Sequence, residues 1–262
     1  MGDRRRVSFE VAMHQLGGYT LYLDWHDLQL GRGETIADTA RTLSGYVDGI
    51  TARVIDHAIL EDLAKYSAVP VINGLSNLNH PLQILADLMT VWEKKGPLKG
   101  LTLAYIGDGN NVCNSLLIGC SKMGVNIVVA CPTGYEPNPE FMRSARTNAE
   151  TTGSTVDVVR SPKDAVTDAD MVYTDVFVSM GQESEMEERL RTFLPEYQVN
   201  SKLMQMAPSK AIFMHPLPCR RGEEVTTEVI DGPQSVVWDQ AENRLHTTKS
   251  VLSFLLLSLI HI

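Results

Sequence analysis

Several short stretches of this chain place turn-forming and polar residues directly after apolar, β-branched runs, where a strand's carboxyl end presents them to a ligand. One is Gly107-Asp-Gly-Asn-Asn-Val112, between the apolar run 101–106 and a helical pattern. Such a turn offers backbone N–H groups at a helix start and favours an anion or a carboxylate. A dinucleotide fingerprint is its rival. That reading fails at Val112, where the third glycine belongs, and at Ala130-Cys131-Pro132, where the next run ends without an acid for a ribose. A bare structural turn explains the glycines but not the adjacent amides Asn110 and Asn111.

His80-Pro-Leu-Gln83 opens another helical pattern. Three-residue spacing puts His80 and Gln83 on the first turn, within reach of one ligand. A cap or surface role is the plainer reading of a lone histidine there. The polar loop Asn73-Gly-Leu-Ser-Asn-Leu-Asn79 just before it favours a binding edge. Asp175-Val-Phe-Val-Ser-Met-Gly181 sets a carboxylate, a hydroxyl and a glycine after a strand, which suits an ammonium group as well as an ordinary acidic loop. In His215-Pro-Leu-Pro218 two prolines stiffen the chain, admit a cis bond, and can fix backbone carbonyls as acceptors for an amine. Arg244, near the start of the last helix, is an anion contact or part of a solvated face. Arg4, Arg5 and Arg6 form the one dense positive cluster.

The elements that must hold these residues alternate short β-branched runs with longer amphipathic stretches, the pattern of parallel sheets with crossover helices. Strands are expected at 19–23, 49–53 and 69–73, with helices at 7–16, 35–46 and 57–66. Helix 81–95 carries Leu82, Leu85, Leu88, Met89 and Trp92 on one side, starts at Pro81 and stops at Gly96-Pro97. A second series follows: strands at 101–106, 125–130, 155–158, 171–174, 211–214 and 236–238, and helices at 111–123 and near 139–152. A long C-terminal helix begins at about Asp239.

The fold class is therefore α/β, with two doubly wound parallel-sheet domains linked by helices. Residues 1–90 form the first domain, 91–240 the second, and 241–262 a helix packing back on the first. The first domain reads as incomplete, because three strands bury little core and an upstream strand is wanting. The final six residues, 257–262, read as a translated sequencing adapter.

Composition narrows the function. Lys plus Arg is 23 against 32 for Asp plus Glu, a net charge of −9, which argues against a general nucleic-acid binder. The apolar run 251–262 is shorter than the roughly 20 residues a membrane span needs. Cys113, Cys120, Cys131 and Cys219 have neither C-x-x-C nor zinc spacing, so no metal and a reducing, cytoplasmic setting are expected. No signal peptide is apparent.

In chain order, Arg6-Val-Ser-Phe-Glu10, Gln29-Leu-Gly-Arg-Gly-Glu34, Asp38-Thr-Ala40, His80-Pro-Leu-Gln83, Gly107-Asp-Gly-Asn-Asn111, Asp175-Val-Phe-Val-Ser-Met-Gly181, His215-Pro-Leu-Pro218 and Glu242-Asn-Arg244 resemble the aspartate/ornithine transcarbamoylase family, in its ornithine branch. The resemblance runs from Arg6 to about Leu256. It implies one domain for carbamoyl phosphate and one for the amino acid, usually in trimers. It also implies transfer of a carbamoyl group to the ornithine δ-amine, giving citrulline and phosphate with no cofactor.

By position, the resemblance makes Arg4, Arg6, Arg53, His80, Gln83 and Arg244 carbamoyl phosphate contacts, and Gln29 a residue reaching a neighbouring subunit's site. Asn111, Asp175, Ser179 and Met180 become ornithine contacts, and Leu217 lends its carbonyl to the amine. Arg53, His80, Arg244 and Leu217 carry the catalytic roles. A sister enzyme for putrescine or another amine, and a non-catalytic ligand-binding relative, remain alternatives. Two positions depart from the family. Gly2-Asp-Arg-Arg-Arg6 replaces its Ser-x-Arg-Thr-Arg loop, and Pro216 replaces the cysteine usual in the ornithine branch.

Overall fold

The computed structural model describes residues 3–24, 33–179 and 181–257, which divide into two units. The first comprises the chain up to Leu82 and from Arg244 on; the second is Gln83–Asn243.

In the first unit, α1 (Asp3–Gln15), α2 (Ile36–Ser44), β1 (Ile50–Arg53), α3 (His57–Tyr66) and β2 (Val71–Leu75) lead into α4 (Pro81–Lys95). Local chemistry starts the helices. The Thr35 hydroxyl accepts from the Asp38 N–H at α2, and the Asp56 carboxylate from the Ala58 N–H at α3. β1 and β2 are parallel, with Ile50 opposite Val71 and a register shift that sets Arg53 opposite Leu75. Phe9, Ala12, Ile72, Leu82 and Leu252 form the small core.

Two sequence expectations fail in this unit. Residues 19–23 form no strand, and Tyr19, Leu21 and Leu23 are exposed. A strand exists only through its backbone partners, and among the described strands none pairs with this segment. The expected loop over the arginine cluster is also replaced, because α1 is already helical at Asp3. Nothing from Asp3 to Arg6 breaks a helix.

The second unit holds β3 (Thr102–Ile106), α5 (Asn111–Met123), β4 (Asn126–Ala130), α6 (Pro139–Thr152), β5 (Val156–Val159), α7 (Pro162–Val166) and β6 (Met171–Thr174). After these come a 3-10 turn at Glu183–Glu185, α8 (Met186–Phe193), α9 (Ser201–Met204), β7 (Ile212–Met214), α10 (Thr227–Ile230) and the start of α11 (Val237–Leu252). All strand pairs are parallel, in the order β5-β4-β3-β6-β7. Strand residues alternate between two cores, as the pleat requires. Leu103, Tyr105, Met171 and Tyr173 join one with Ile127, Val129 and Leu116; Ala104, Ile106, Val172 and Phe213 join the other with Phe177 and Phe193.

The expected strand 236–238 is instead the entry to α11. Only a single bridge, Phe213 to Ser235, and the bond from the Val236 N–H to the Phe213 carbonyl touch the sheet there. Buried Val236 and Val237 beside exposed Trp238 suit a helix's first turn as well as a strand.

The second unit also buries polar groups, among them a carboxylate with three side-chain donors. The Asp87 carboxylate accepts from Gln83 Nε2 at 2.8 Å, Gln240 Nε2 at 2.7 Å and the Tyr173 hydroxyl at 3.0 Å. Cys113, Cys120 and Cys131 are fully buried, whereas Cys219 is partly exposed. Burial raises all four thiols above their ordinary range, Cys131 to about 11.

α5 packs so closely on α4 that a Cβ at Gly119 would lie 2.3 Å from Ile84 Cγ1. Gly119→Ala is therefore expected to destabilise the second unit by about 1–3 kcal/mol through overpacking, although alanine is the better helix former. A urea titration checks this; an unchanged or raised midpoint refutes it.

Candidate functional site

In a parallel sheet the chemistry gathers at the strands' carboxyl ends, and most of all where strand order reverses. β3, β4 and β5 step outward one way, β6 and β7 the other, so the reversal falls between β3 and β6. The loops after these strands are the two that carry Gly107–Asn110 and Asp175–Ser179. They are joined by a hydrogen bond from Asn110 Nδ2 to Asp175 Oδ2 at 2.8 Å.

Asp175 is 8% exposed. Its other oxygen accepts the Val176 N–H at 2.8 Å. Burial pushes this carboxyl above the usual range, opposed by the His215 ring, the Val176 N–H and the Asn110 amide. The result is a shielded carboxylate at the sheet edge, suited to an ammonium group.

The glycine turn differs in use from the sequence expectation. The N–H groups of Val112 and Cys113 at the start of α5 are taken by Asn110 Oδ1, at 3.0 and 3.1 Å. Gly109 lies against backbone: an added Cβ would sit 2.3 Å from Pro137 N, and the Gly109 N–H bonds to the Tyr135 carbonyl. The close approach that a dinucleotide fold reserves for a pyrophosphate is filled here by the chain itself. Asn111 is the first residue of α5, beside this turn.

After β7 the turn His215–Pro218 is held by a buried relay. The Leu217 N–H donates to His215 Nδ1 at 2.9 Å, and His215 Nε2 meets Glu224 Oε1 at 3.1 Å on the other side of the ring. The Gln240 side chain accepts from the His215 N–H at 2.9 Å. Leu217 has φ +51°, the one positive value among the described non-glycine residues, and its bond to Pro218 is cis. The backbone at Leu217 is thus fixed in a left-handed conformation a leucine rarely adopts. Ser179 is clasped in its own loop, its N–H donating to Gln182 Oε1 at 3.0 Å.

In the first unit, Arg53 ends β1, and His80 follows the loop after β2. Ser76 organises that loop. Its hydroxyl accepts from the Leu78 and Asn79 N–H groups and bonds His57 Nδ1, and its own N–H donates to the Asn79 carbonyl. His80 Nε2 lies 3.3 Å from Arg244 Nη1, so two residues far apart in sequence come together. Partial burial lowers the pKa of Arg53, and the group remains a cation near neutrality.

Arg6 is placed otherwise. Its guanidinium bonds Glu10 at 2.7 Å and lies 4.4 Å over the Tyr22 ring. Arg4 falls in α1, while Gln29 and Met180 lie outside the described residues.

The sequence marks Asn110 as one of two adjacent amides after a glycine turn but assigns it no contact, and it leaves Asp87 and Glu224 unmarked. Two of the three side chains that meet Asp87, Tyr173 and Gln240, are distant in sequence, and no motif links Glu224 to its partners, His215 and Arg220.

Two carboxyl-edge loops meeting at a strand-order reversal, one carrying a buried acid, define an α/β ligand-binding enzyme scaffold. Residues 2–93 match the family description "Aspartate/ornithine carbamoyltransferase, carbamoyl-P binding domain", and residues 99–255 match "Aspartate/ornithine carbamoyltransferase, Asp/Orn binding domain". The chain belongs to the aspartate/ornithine carbamoyltransferase family. It is 60% identical over 253 residues to the ornithine carbamoyltransferase of Pyrococcus horikoshii, covering 97% of this chain and 80% of that protein. It is similar to the solved ornithine carbamoyltransferase of Pyrococcus furiosus, with TM-score 0.94 and 58% identity over 98% of this chain and 82% of that one. The structure from Gloeobacter violaceus aligns with TM-score 0.89 and 45% identity, over 98% and 83% of the two chains.

Asp87→Ala takes the acceptor from Gln83, Gln240 and Tyr173 in a buried setting. It is expected to cost about 2–4 kcal/mol of stability, since buried donors left unmatched lose about 1–3 kcal/mol each. Chemical denaturation reads the loss; a change below 1 kcal/mol, taken as roughly the floor for such a group, counts against it.

Proposed function

We propose that this protein transfers the carbamoyl group of carbamoyl phosphate to the δ-amine of ornithine, giving citrulline and phosphate. The observation that carries the amino-acid half is the shielded Asp175 carboxylate at the β3/β6 reversal, held by Asn110 and Val176. In this reading Asp175 takes the α-ammonium group, with Asn111, Ser179 and Met180 around the amino acid. On the carbamoyl phosphate side, Arg53, His80, Gln83 and Arg244 are the contacts, supported by the His80–Arg244 approach.

The neutral δ-amine attacks the carbamoyl carbon. A C–N bond forms, the bond from carbon to the phosphate oxygen breaks, and the amine's surplus proton leaves with the products. Negative charge grows first on the carbonyl oxygen and then on the departing phosphate. Arg53, His80 and Arg244 answer it with donors and positive charge already in place. The Leu217 carbonyl, fixed by its left-handed backbone, accepts a hydrogen from the attacking amine. No step calls for a metal or an organic cofactor. We further propose a cytoplasmic homotrimer, or a multiple of trimers, acting in arginine synthesis, with Gln29 reaching a neighbour's site. Among the described residues no helix is long and apolar enough to cross a membrane.

A second reading, ligand binding without turnover, is favoured by one observation. Arg6 is engaged by Glu10 and Tyr22 on a continuous helix, in place of a Ser-x-Arg-Thr-Arg loop.

Colorimetric citrulline assay of the purified protein tests the first reading, with product expected from ornithine and far less carbamoylation of putrescine, which has no α-ammonium for Asp175. Asp175→Asn is expected to raise the ornithine KM by roughly 10–100-fold, the loss of a charge-assisted contact of about 1.5–3 kcal/mol. Ornithine binding by calorimetry without any citrulline selects the second reading; neither binding nor product ends both.

A further inference from the structure

The amide of Asn110 is used at both ends. Its oxygen accepts the Val112 and Cys113 N–H groups and lies 3.3 Å from the Tyr105 hydroxyl. The Tyr105 hydroxyl has one proton and a nearer acceptor, the Asp108 carbonyl at 2.9 Å, so the two backbone donors are what leave the amide a single orientation. Its nitrogen must then face away from the helix, and there it donates to Asp175 Oδ2 at 2.8 Å.

Capping α5 requires only the oxygen, which Ser or Asp supplies as well as Asn. An amide carries its acceptor and its donor on separate atoms, so one short side chain serves the helix with its oxygen and a carboxylate with its nitrogen at once. A serine offers both from a single oxygen held at the helix, and an aspartate carboxylate has no donor. The choice of Asn over Ser or Asp is thus unexplained by the helix and explained by Asp175. The surroundings make the donor matter. Burial and the negative charges of Asp108 and Glu224 oppose ionisation of Asp175, while the His215 ring, the Val176 N–H and the Asn110 amide favour its charged form.

We propose that Asn110 is a positioning residue for the amino-acid substrate: locked by the start of α5, it orients the Asp175 carboxylate toward the ornithine α-ammonium. The inference rests on the ornithine reading above.

Asn110→Ser and Asn110→Asp separate the two uses, because both keep a capping oxygen and both remove the amide nitrogen that reaches Asp175. Three quantities are measured on the full chain: thermal midpoint, the separate KM values for ornithine and carbamoyl phosphate, and the Asp175 titration by carboxyl 13C NMR without substrate. Near-unchanged midpoints are expected, with an ornithine KM raised about tenfold in Asn110→Ser, the loss of one hydrogen bond to a charged group. The carbamoyl phosphate KM should hold. The Asp175 titration should move to higher pH in both variants, and further in Asn110→Asp, where a second carboxylate is introduced.

A merely structural cap predicts the opposite pattern: the ornithine KM and the Asp175 titration both stay at wild-type values, and that result overturns the proposal. If the wild-type protein makes no citrulline, the ornithine reading fails and takes the substrate half of the inference with it. The NMR titration still decides whether Asn110 governs Asp175.

Discussion

Leu103 to Ile106 of β3 run in register beside Met171 to Thr174 of β6, and the second unit's site depends on this parallel pairing. The two strands are neighbours in the sheet yet separated in the chain by three helices and two other strands. Their loops therefore leave the sheet side by side at its carboxyl edge. A parallel sheet buried on both faces offers polar chemistry no other outlet, since its strand interiors are committed to two apolar cores. One amide-to-carboxylate hydrogen bond then ties the two loops together.

Around that edge the protein tolerates buried charge only where donors are ready for it. Asp175 has an amide and a backbone N–H; Asp87 has two amides and a phenol; Glu224 has an imidazole and the Arg220 N–H. Glu224 and Asp87 hold other side chains, those of His215 and Gln83, whereas Asp175 stands at the sheet edge itself. Rigid placement of this kind is what lets a site lower a barrier through preorganisation rather than through flexible charge.

The second unit was largely legible in the sequence because its signals are local. Alternating apolar residues mark both faces of β3, Gly124 and Gly153 stop α5 and α6 in left-handed conformations, and Asn110 and Asn138 start them. The Val236–Trp238 run misled because three apolar residues fit a strand and a buried helix start alike. The first unit was less legible for a different reason. Residues 19–23 alternate as a strand should, but pairing partners are a property of the whole sheet and leave no trace in the segment. Arg6 likewise has the right charge for a phosphate, while its helix turns it to Glu10 and Tyr22. Of the site, residue types and strand-end positions were readable. The relays behind them, from Glu224 through His215 to Leu217 and from Tyr173 and Gln240 through Asp87 to Gln83, depend on side-chain contacts that no short motif encodes.

The distribution of thiols has a practical side. Three of the four cysteines are sealed in the interior and protonated far above neutrality, so alkylating reagents meet essentially one sulfur, that of Cys219. It sits two residues past Leu217, next to the cis Pro218 turn. The wild-type chain thus comes with a chemically addressable reporter beside a turn that holds a leucine in the left-handed region. A fluorophore or spin label attached there reports on that turn with no cysteine to engineer in and none to remove.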